Sequence, residues 1–457
     1  MALQYDKIID DLLTCDVLVV GGGPAGIGAA ACAARNGAKT VLIERAGFVG
    51  GMATAGLVGP LMTCYDGEGK TQLIRGFFDE LVVRMEKMGG ANHPSKIGFS
   101  TSHAAFITPG HSHVTPFSPE IFKIVAEDML IESGVNLLFY TQFVDCIMDG
   151  ERISHVIVAK KEGLCAIKAK MVIDSSGDGD VAAAAGVPFV FGNDDGEVQP
   201  ATMFFKVTGV DSNKVEQAIK ENWDSMRPFF GAFHWLLEEE RKKGNWKINR
   251  SELGAYETHV KGTWNLNVTR VFPVNPTQSK SLTMASVEGR KQVQEVYRFL
   301  KEKVPGFENA VITEVASVIG TRESRHVKGL YTLTREDILE ERTFEDDIMI
   351  CANSLDIHAN DGSAGEYITA KNCYGIPYRT LVPQKCLNLL IAGKTISAHS
   401  HAAAAFRVMP CCIGIGQAAG TAAALCVTGE TEPKLLDVKN LRETLISQDV
   451  FLNPNFK

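Results

Sequence analysis

The run Cys15-Asp-Val-Leu-Val-Val-Gly-Gly-Gly-Pro-Ala-Gly26, followed by Lys39-Thr-Val-Leu-Ile-Glu44, restricts the folds open to this 457-residue chain more than any other part of it. Val17 to Val20 read as a buried parallel strand. Gly21-x-Gly23-x-x-Gly26 reads as the turn into a helix reaching about Asn36, and Val41 to Ile43 as the next strand. Gly21 permits the tight turn, and Gly23, with Pro24 and Ala25 beside it, lets backbone approach a pyrophosphate. Gly26 lets helix pack on strand, while the helix N-terminus supplies unpaired N–H groups and partial positive charge. Glu44 stands where an acid accepts hydrogen bonds from a ribose. Strand, glycines, helix, strand and acid in that order predict a dinucleotide site.

NAD folds usually carry no further signature, whereas this chain carries three. Arg45-Ala-Gly-Phe-Val-Gly50-Gly51-Met52-Ala-Thr-Ala-Gly56 is a small-residue loop that can lie against a ribityl chain. Residues 119–180 give a helix at Pro119, a strand near Asn136 to Tyr140 and a β-rich stretch from Phe143 to Ala169. They close on Asp174-Ser-Ser-Gly177-Asp178-Gly179-Asp180. Last come Leu389-Leu-Ile-Ala-Gly393-Lys394 and Arg407-Val-Met409-Pro-Cys-Cys-Ile-Gly414-Ile-Gly416-Gln-Ala-Ala-Gly420. The expected cofactor is non-covalent FAD, held also by Arg45, Gly50, Gly51, Met52, Val144, Gly177, Asp178, Gly393, Met409 and Gly414. A helix over Pro410 to Leu425 would aim its N-terminus at the pyrimidine end of the isoalloxazine, where the reduced flavin is negative. The other reading of its small residues is plain packing.

These motifs resemble a family of FAD-dependent oxidoreductases that share the GGGPAG, GGMATAGLVGP and SSGDGD segments. The family also shares Tyr374-Gly-Ile-Pro-Tyr378-Arg379-Thr-Leu-Val-Pro383 and an Arg-Val-Met-Pro segment before Gly-Gln-Ala-Ala-Gly. Its broader relatives are two-domain flavoproteins of the glutathione reductase and fumarate reductase type. The resemblance covers nearly the whole chain, with residues 205–310 the least recognisable. It implies an α/β fold: a Rossmann-like FAD domain with an inserted mixed-sheet α+β substrate or cap domain. Two positions depart from the pattern. Gly393-Lys394 replaces Gly-Arg, and Ser397-Ala-His399-Ser400-His401-Ala402 replaces Ser-Ala-Thr-His-Glu-Ala, so a serine flanked by histidines stands where relatives have a histidine.

The flavin motifs divide the chain. Residues 1–60, 117–190 and 375–457 are expected to form a discontinuous FAD domain, with 61–116 and 191–374 as substrate-binding or cap pieces and a crossing at Gly192–Gly196. Thr202 to Thr208 and Trp264 to Thr269 alternate as strands do. Val287 to Lys303 reads as a helix with Val293, Val296, Tyr297 and Leu300 on its core face. A formal net charge of −8 disfavours nucleic acid and anionic membranes as partners. No leader or stretch of membrane-span length is expected, which gives a cytoplasmic enzyme acting on a small molecule, with homo-oligomers open. The eleven cysteines contain no CxxC, which argues against disulfide-reductase chemistry and iron–sulfur clusters; vicinal Cys411-Cys412 reads as packing.

Hydride transfer to flavin needs a proton acceptor and a grip on the substrate. His399, His401 and Arg407 follow the last flavin strand, Arg379 sits nearby in sequence, and these four are the expected catalytic residues. His358, in Asp356-Ile-His, is balanced between structure and function. Thr321-Arg322-Glu-Ser-Arg325-His326 suits an ion-pair network between cap and flavin domain. His103, His111 and His113, around a Pro109-Gly110 turn, suit a lid rather than metal ligation, and no metal is expected. Three functions stay open: oxidation of a CH–OH or CH–NH group with His399 or His401 as base; a fumarate-reductase-like ene-reductase using arginines; and an electron-carrying subunit. The paired histidines favour the first.

Overall fold

The strand Leu12–Val20 places uninterrupted buried valine and leucine at its inner end, as a central parallel strand requires. It pairs in parallel with Thr40–Ile43 on one side and Gly163–Asp174 on the other. Asn136–Leu138 extends the sheet beyond Thr40–Ile43, and Leu389–Ile391 joins Gly163–Asp174 in parallel. Gln142–Asp149, Arg152–Lys160 and Gly163–Asp174 form an antiparallel meander that completes seven strands. The computed structural model describes residues 8–9, 12–107, 111–223, 233–250, 253–359, 365–370 and 372–452. The turn expected at Pro109–Gly110 lies outside these described residues.

Gly21 turns the first strand at φ +102°, with Ser175 O only 2.6 Å from where a Cβ would sit. The helix Pro24–Arg35 follows with proline in its first turn, where a missing N–H costs nothing. A Cβ on Gly26 would stand 1.8 Å from Gly21 O, so only glycine closes helix onto strand. The strand–helix–strand unit is Rossmann-like, as its residues require.

A second sheet, antiparallel throughout, orders Val311–Val315, Phe205–Thr208, Trp264–Asn267 and Gly254–Glu257. It shares a core with the helix Ser279–Lys303, which buries Ala285, Gly289, Val293, Val296, Phe299 and Leu300. This helix begins two turns before the expected Val287. Those turns are mostly solvated, so they lack the apolar period that reveals a helix in sequence. Tyr297 is partly buried and donates its hydroxyl to Ala310 O at 2.9 Å.

Buried side chains between Val198 and Ile319, joined by Leu57 and Phe106, fill this second core. Other stretches assigned above to the cap lie in the first: Phe77, Phe78, Leu81, Val82 and Met85 pack there, as do Ile348, Met349 and Tyr374. The Gly192–Gly196 turn falls between Val187 of the first core and Val198 of the second, and Thr321–His326 falls on the return.

The helix Met409–Thr428 is 20 residues long, carries no charge and has the length to cross a membrane, which the expectation of no such stretch overlooked. It is buried instead, against Pro24–Arg35. A Cβ on Gly416 would stand 2.0 Å from Ala25 O, and one on Gly420 2.0 Å from Ala29 O. Gly420→Val is therefore expected to overpack the contact by about 1–3 kcal/mol and lower the thermal unfolding midpoint. Gly98→Ala, where a Cβ meets nothing within 4 Å, leaves the midpoint unchanged.

Candidate active site

Between the two cores lies a cavity of about 690 Å³. Its outer end is bounded by Glu44, Arg45 and Thr141–Phe143, its middle by Gly21, Gly23–Ala25, Gly51–Met52, Gly177–Asp178 and Gly393. Its inner end is bounded by Arg322, Asp356, His358, Tyr367 and Arg407. Two uncapped helix N-termini open on it. No side chain caps Pro24–Arg35 at Gly23 or Met409–Thr428 at Val408, and Pro24, Ala25, Val408, Met409 and Cys412 line the wall. Partial positive charge thus converges on the cavity from two directions.

Most of the expected dinucleotide residues meet at this wall. Glu44 is fixed by the backbone: Gly22 N–H donates to Oε2 and Ala46 N–H to Oε1, both at 2.8 Å. The Asp174 carboxylate accepts from Ser176 N–H and Ala182 N–H and so shapes the Ser175–Asp180 loop. Asp178 is partly buried in that loop, its Oδ1 shielded from solvent and lacking any hydrogen bond, the Lys394 ammonium 3.8 Å away. Burial pushes the Asp178 carboxyl up, against the opposing pull of Lys394. An acceptor left open on a polar cavity, glycine backbone at Gly23 with nothing within 4 Å of its Cβ position, and a fixed acid at the far end fit the hydroxyls and phosphates of FAD.

Four expected cofactor residues stand back from the wall. Gly26 serves helix–strand packing, and Gly50 donates its N–H to Gly22 O at 2.8 Å, bracing the glycine loop. Gly414 faces the Met349 sulfur, 2.7 Å from its Cβ position. Val144 is about half exposed on Gln142–Asp149, while its neighbour Phe143 lines the cavity: successive residues of a strand point to opposite faces.

The inner end gathers charge. His358 Nε2 lies 3.3 Å from Asp356 Oδ2, and Arg407 Nη2 lies 3.8 Å from the same oxygen while donating to Asp356 O at 2.7 Å. Arg407 Nη1 is buried with no partner. Arg322 donates to Pro200 O, to Thr202 Oγ1 at 2.7 Å and weakly to Asn267 Oδ1, all neutral acceptors. Burial drives the His358 imidazole down to about 4, with Arg322 and Arg250 adding to it and Asp356 opposing. Burial works against the Asp356 carboxylate, yet His358, Arg407 and Arg322 hold it well below the usual range. At neutral pH the pair is an aspartate and a neutral histidine.

Of the four expected catalytic residues, the structure brings only Arg407 to the cavity. His399 and His401 are exposed at the first turn of the helix Ser400–Phe406. Only the far end of that helix, Ala404 and Arg407, reaches the wall. Arg379 sits on a short turn at the surface, ion-paired to Asp346 at 2.9 Å and stacked over Tyr331. His358 and Asp356 take the place expected of the histidine pair. Their two-residue spacing along an extended segment, which puts both side chains on one face, was the signal available.

The three lid histidines have separate surroundings. His103 bonds Glu257 O, His113 stacks on Tyr65, and His111 alone lines the cavity, near Tyr256 and Tyr367. Arg325 makes the expected ion pair, with Asp180 at 2.8 Å, whereas Arg322 makes none among the described residues. Cys411 and Cys412 are buried, and burial pushes the Cys412 thiol up to about 12.

A Rossmann-like unit with a long cavity at its glycine turn, closed by a second domain whose sheet is antiparallel rather than the mixed one expected, defines a flavin-dinucleotide oxidoreductase. The chain belongs to the FAD dependent oxidoreductase family, whose model matches residues 16–445. Among solved structures it is similar to a geranylgeranyl bacteriochlorophyll reductase-like protein from Thermoplasma acidophilum, at 14% identity over 96% of this chain and 85% of that one, with a TM-score of 0.49. It is also similar to L-proline dehydrogenase from P. horikoshii, at 12% identity over 96% and 100%, TM-score 0.43. A third is p-nitrophenol 4-monooxygenase from Pseudomonas putida DLL-E4, at 10% over 97% and 91%, TM-score 0.47.

Denaturing the purified protein is expected to release FAD into the supernatant. Glu44→Ala removes the acceptor that faces the adenosine end and frees the Gly22 and Ala46 N–H groups, so FAD affinity is expected to fall by about 1–3 kcal/mol per charged hydrogen bond lost. Retention of FAD through dialysis equal to the parent's would place the adenosine elsewhere.

Proposed function

We propose that this enzyme oxidises a small polar substrate at a carbon bearing a hydroxyl or amine, with His358 as the proton acceptor. The observation that carries the reading is the His358–Asp356 pair at the inner end of the cavity, with Nε2 3.3 Å from Oδ2. FAD, when bound along the glycine turn, supplies the two-electron acceptor for the hydride. With Nε2–H donated to Asp356, His358 keeps Nδ1 as the basic nitrogen, the tautomer following from the carboxylate partner. Nδ1 takes the hydroxyl or amine proton, and the Asp356 carboxylate stabilises the imidazolium as it forms. The substrate leaves as a carbonyl compound or imine, short of one hydride and one proton. Tyr256, Tyr367 and His111 close the inner end against water.

A second reading, reduction of an unsaturated acid with an arginine as proton donor, is favoured by Arg322. Burial, with Arg250 and Arg407 adding to it, depresses its pKa well below that of an ordinary guanidinium. Reoxidation of photoreduced enzyme by unsaturated acids, without bleaching by any hydroxy or amino compound, would select it.

Stopped-flow reduction under anaerobic conditions tests the first reading. General-base loss is typically worth ~10²–10⁴-fold, so His358→Gln is expected to slow reduction by that range while FAD stays bound. His399→Ala and His401→Ala reduce at the parent rate. Parent-rate reduction by His358→Gln would end the proposal. The base must be neutral to act, so kcat/KM is expected to fall only as pH drops through about 4, the position of His358 in the free enzyme. An acid limb near the unperturbed histidine value of ~6.5 would point to another base.

A further inference from the structure

We infer that the inner end of the cavity is a monocarboxylate seat and that the oxidised carbon is the one next to that carboxylate, so the substrate class is a 2-hydroxy or 2-amino monocarboxylic acid. Among the side chains lining this end, two guanidinium groups, Arg322 and Arg407, face one carboxylate, Asp356; His358 and the tyrosines are neutral. Arg250 lies behind Arg322, bonded to Asn267 Oδ1. Arg322 donates hydrogen bonds only to neutral acceptors, and the one carboxylate whose charge opposes the cost of its burial, Asp356, is shared with Arg407 and His358. The wall is one negative charge short.

The open hydrogen-bonding position points to the same ligand. The Arg407 side chain is only 9% exposed, its Nη2 is used on Asp356 O, and Nη1 is buried without a partner on a residue that lines the cavity. A carboxylate oxygen supplies both the missing acceptor and the missing charge, in the fork geometry that guanidinium groups favour. One substrate carboxylate balances the wall; a dicarboxylate would leave its second charge among tyrosines and Phe204.

The position of the reacting carbon follows from Asp356. Its Oδ2 is shared by His358 and Arg407, so the proton acceptor and the anion anchor sit on one carboxylate oxygen. A substrate gripped by Arg407 therefore brings a nearby hydroxyl or amine to His358, and position 2 is the one that spans so short a gap. The anion also brings negative charge toward His358, which raises its affinity for a proton when substrate is bound.

The assignment of His358 as base comes from the preceding reading, and the experiment separates the two. Unreactive short monocarboxylates, propionate and pyruvate, are titrated into the FAD-loaded enzyme and followed by the flavin absorption band. 2-hydroxy and 2-amino monocarboxylates are then mixed anaerobically beside their amides and the corresponding neutral alcohols and amines. Saturable perturbation by the monocarboxylates and bleaching only by the charged substrates are expected. Arg407→Met should raise the carboxylate Kd by ~10–100-fold, the worth of one or two charge-assisted bonds, and Arg407→Lys by less. Arg322→Gln gives the same loss if Arg407→Met fails to retain FAD. His358→Gln should bind the monocarboxylates as the parent does yet bleach slowly. Neutral amides that bind or bleach as well as the acids, or parent-like Kd in both arginine variants, would overturn the carboxylate seat. Parent-rate bleaching by His358→Gln with carboxylate binding intact would overturn only the base.

Discussion

The structure depends on one contact: the backbone-to-backbone approach of the helices Pro24–Arg35 and Met409–Thr428. Gly28 meets Ile413 O, Gly416 meets Ala25 O and Gly420 meets Ala29 O at distances that leave no room for a Cβ. Each interior glycine destabilises its helix by roughly 0.5–1 kcal/mol relative to alanine, offset here by close packing along the whole contact. Segments from opposite ends of the chain are joined in this way, and their N-termini open on one cavity. The first positive end is placed where it would meet the phosphates of FAD. The second, at Val408–Met409, lines the same cavity, where it would stabilise charge that accumulates on a reduced flavin.

The two passages of the chain between cores tie one side of the cavity's inner end, that of Arg322, to the cofactor loop. Arg322 and Arg325, three residues apart on the returning passage, reach in different directions. Arg325 grips Asp178 O and Asp180 of the dinucleotide loop, and Arg322 grips Pro200 O and Thr202 of the outgoing passage. Lys394 joins them through Thr321 O at 2.9 Å. The cofactor loop and the substrate wall are thus tied through a few polar contacts, so a shift at one is felt at the other.

The dinucleotide half was legible in sequence because each of its residues acts through local geometry. Gly21 and Gly26 are dictated by a turn and a helix–strand contact within six residues of each other, and Glu44 by the next strand. Val144 failed as an assignment since a single residue's offset on a strand changes its face. The substrate half was hidden for a different reason. Asp356, His358, Arg322 and Arg407 come from three distant segments, and what makes them a site is burial and mutual charge, neither of which a linear pattern records. The pairing of Asp356 with His358 on one face was visible, but nothing in the chain said that this face looks onto the flavin cavity.

The misplacement of His399 and His401 has a sharper cause. The helix Ser400–Phe406 contains Ala402 to Ala405, and a run of alanine has no apolar moment to fix its rotation in sequence. The fold fixes it by burying Ala402 through Phe406, with Ala404 and Arg407, three residues apart, on the cavity side, and leaves both histidines at the solvated start. Arg407 also stands at the C-terminal end of the helix, where carbonyl dipoles favour a cation. Burial lowers the pKa of Arg407 while the Asp356 and Glu323 carboxylates oppose that, and its Nη1 is left without a partner. A group so placed discriminates by charge before it discriminates by shape: an anion completes its hydrogen bonds, whereas a neutral ligand of the same size leaves the buried cation short of an acceptor.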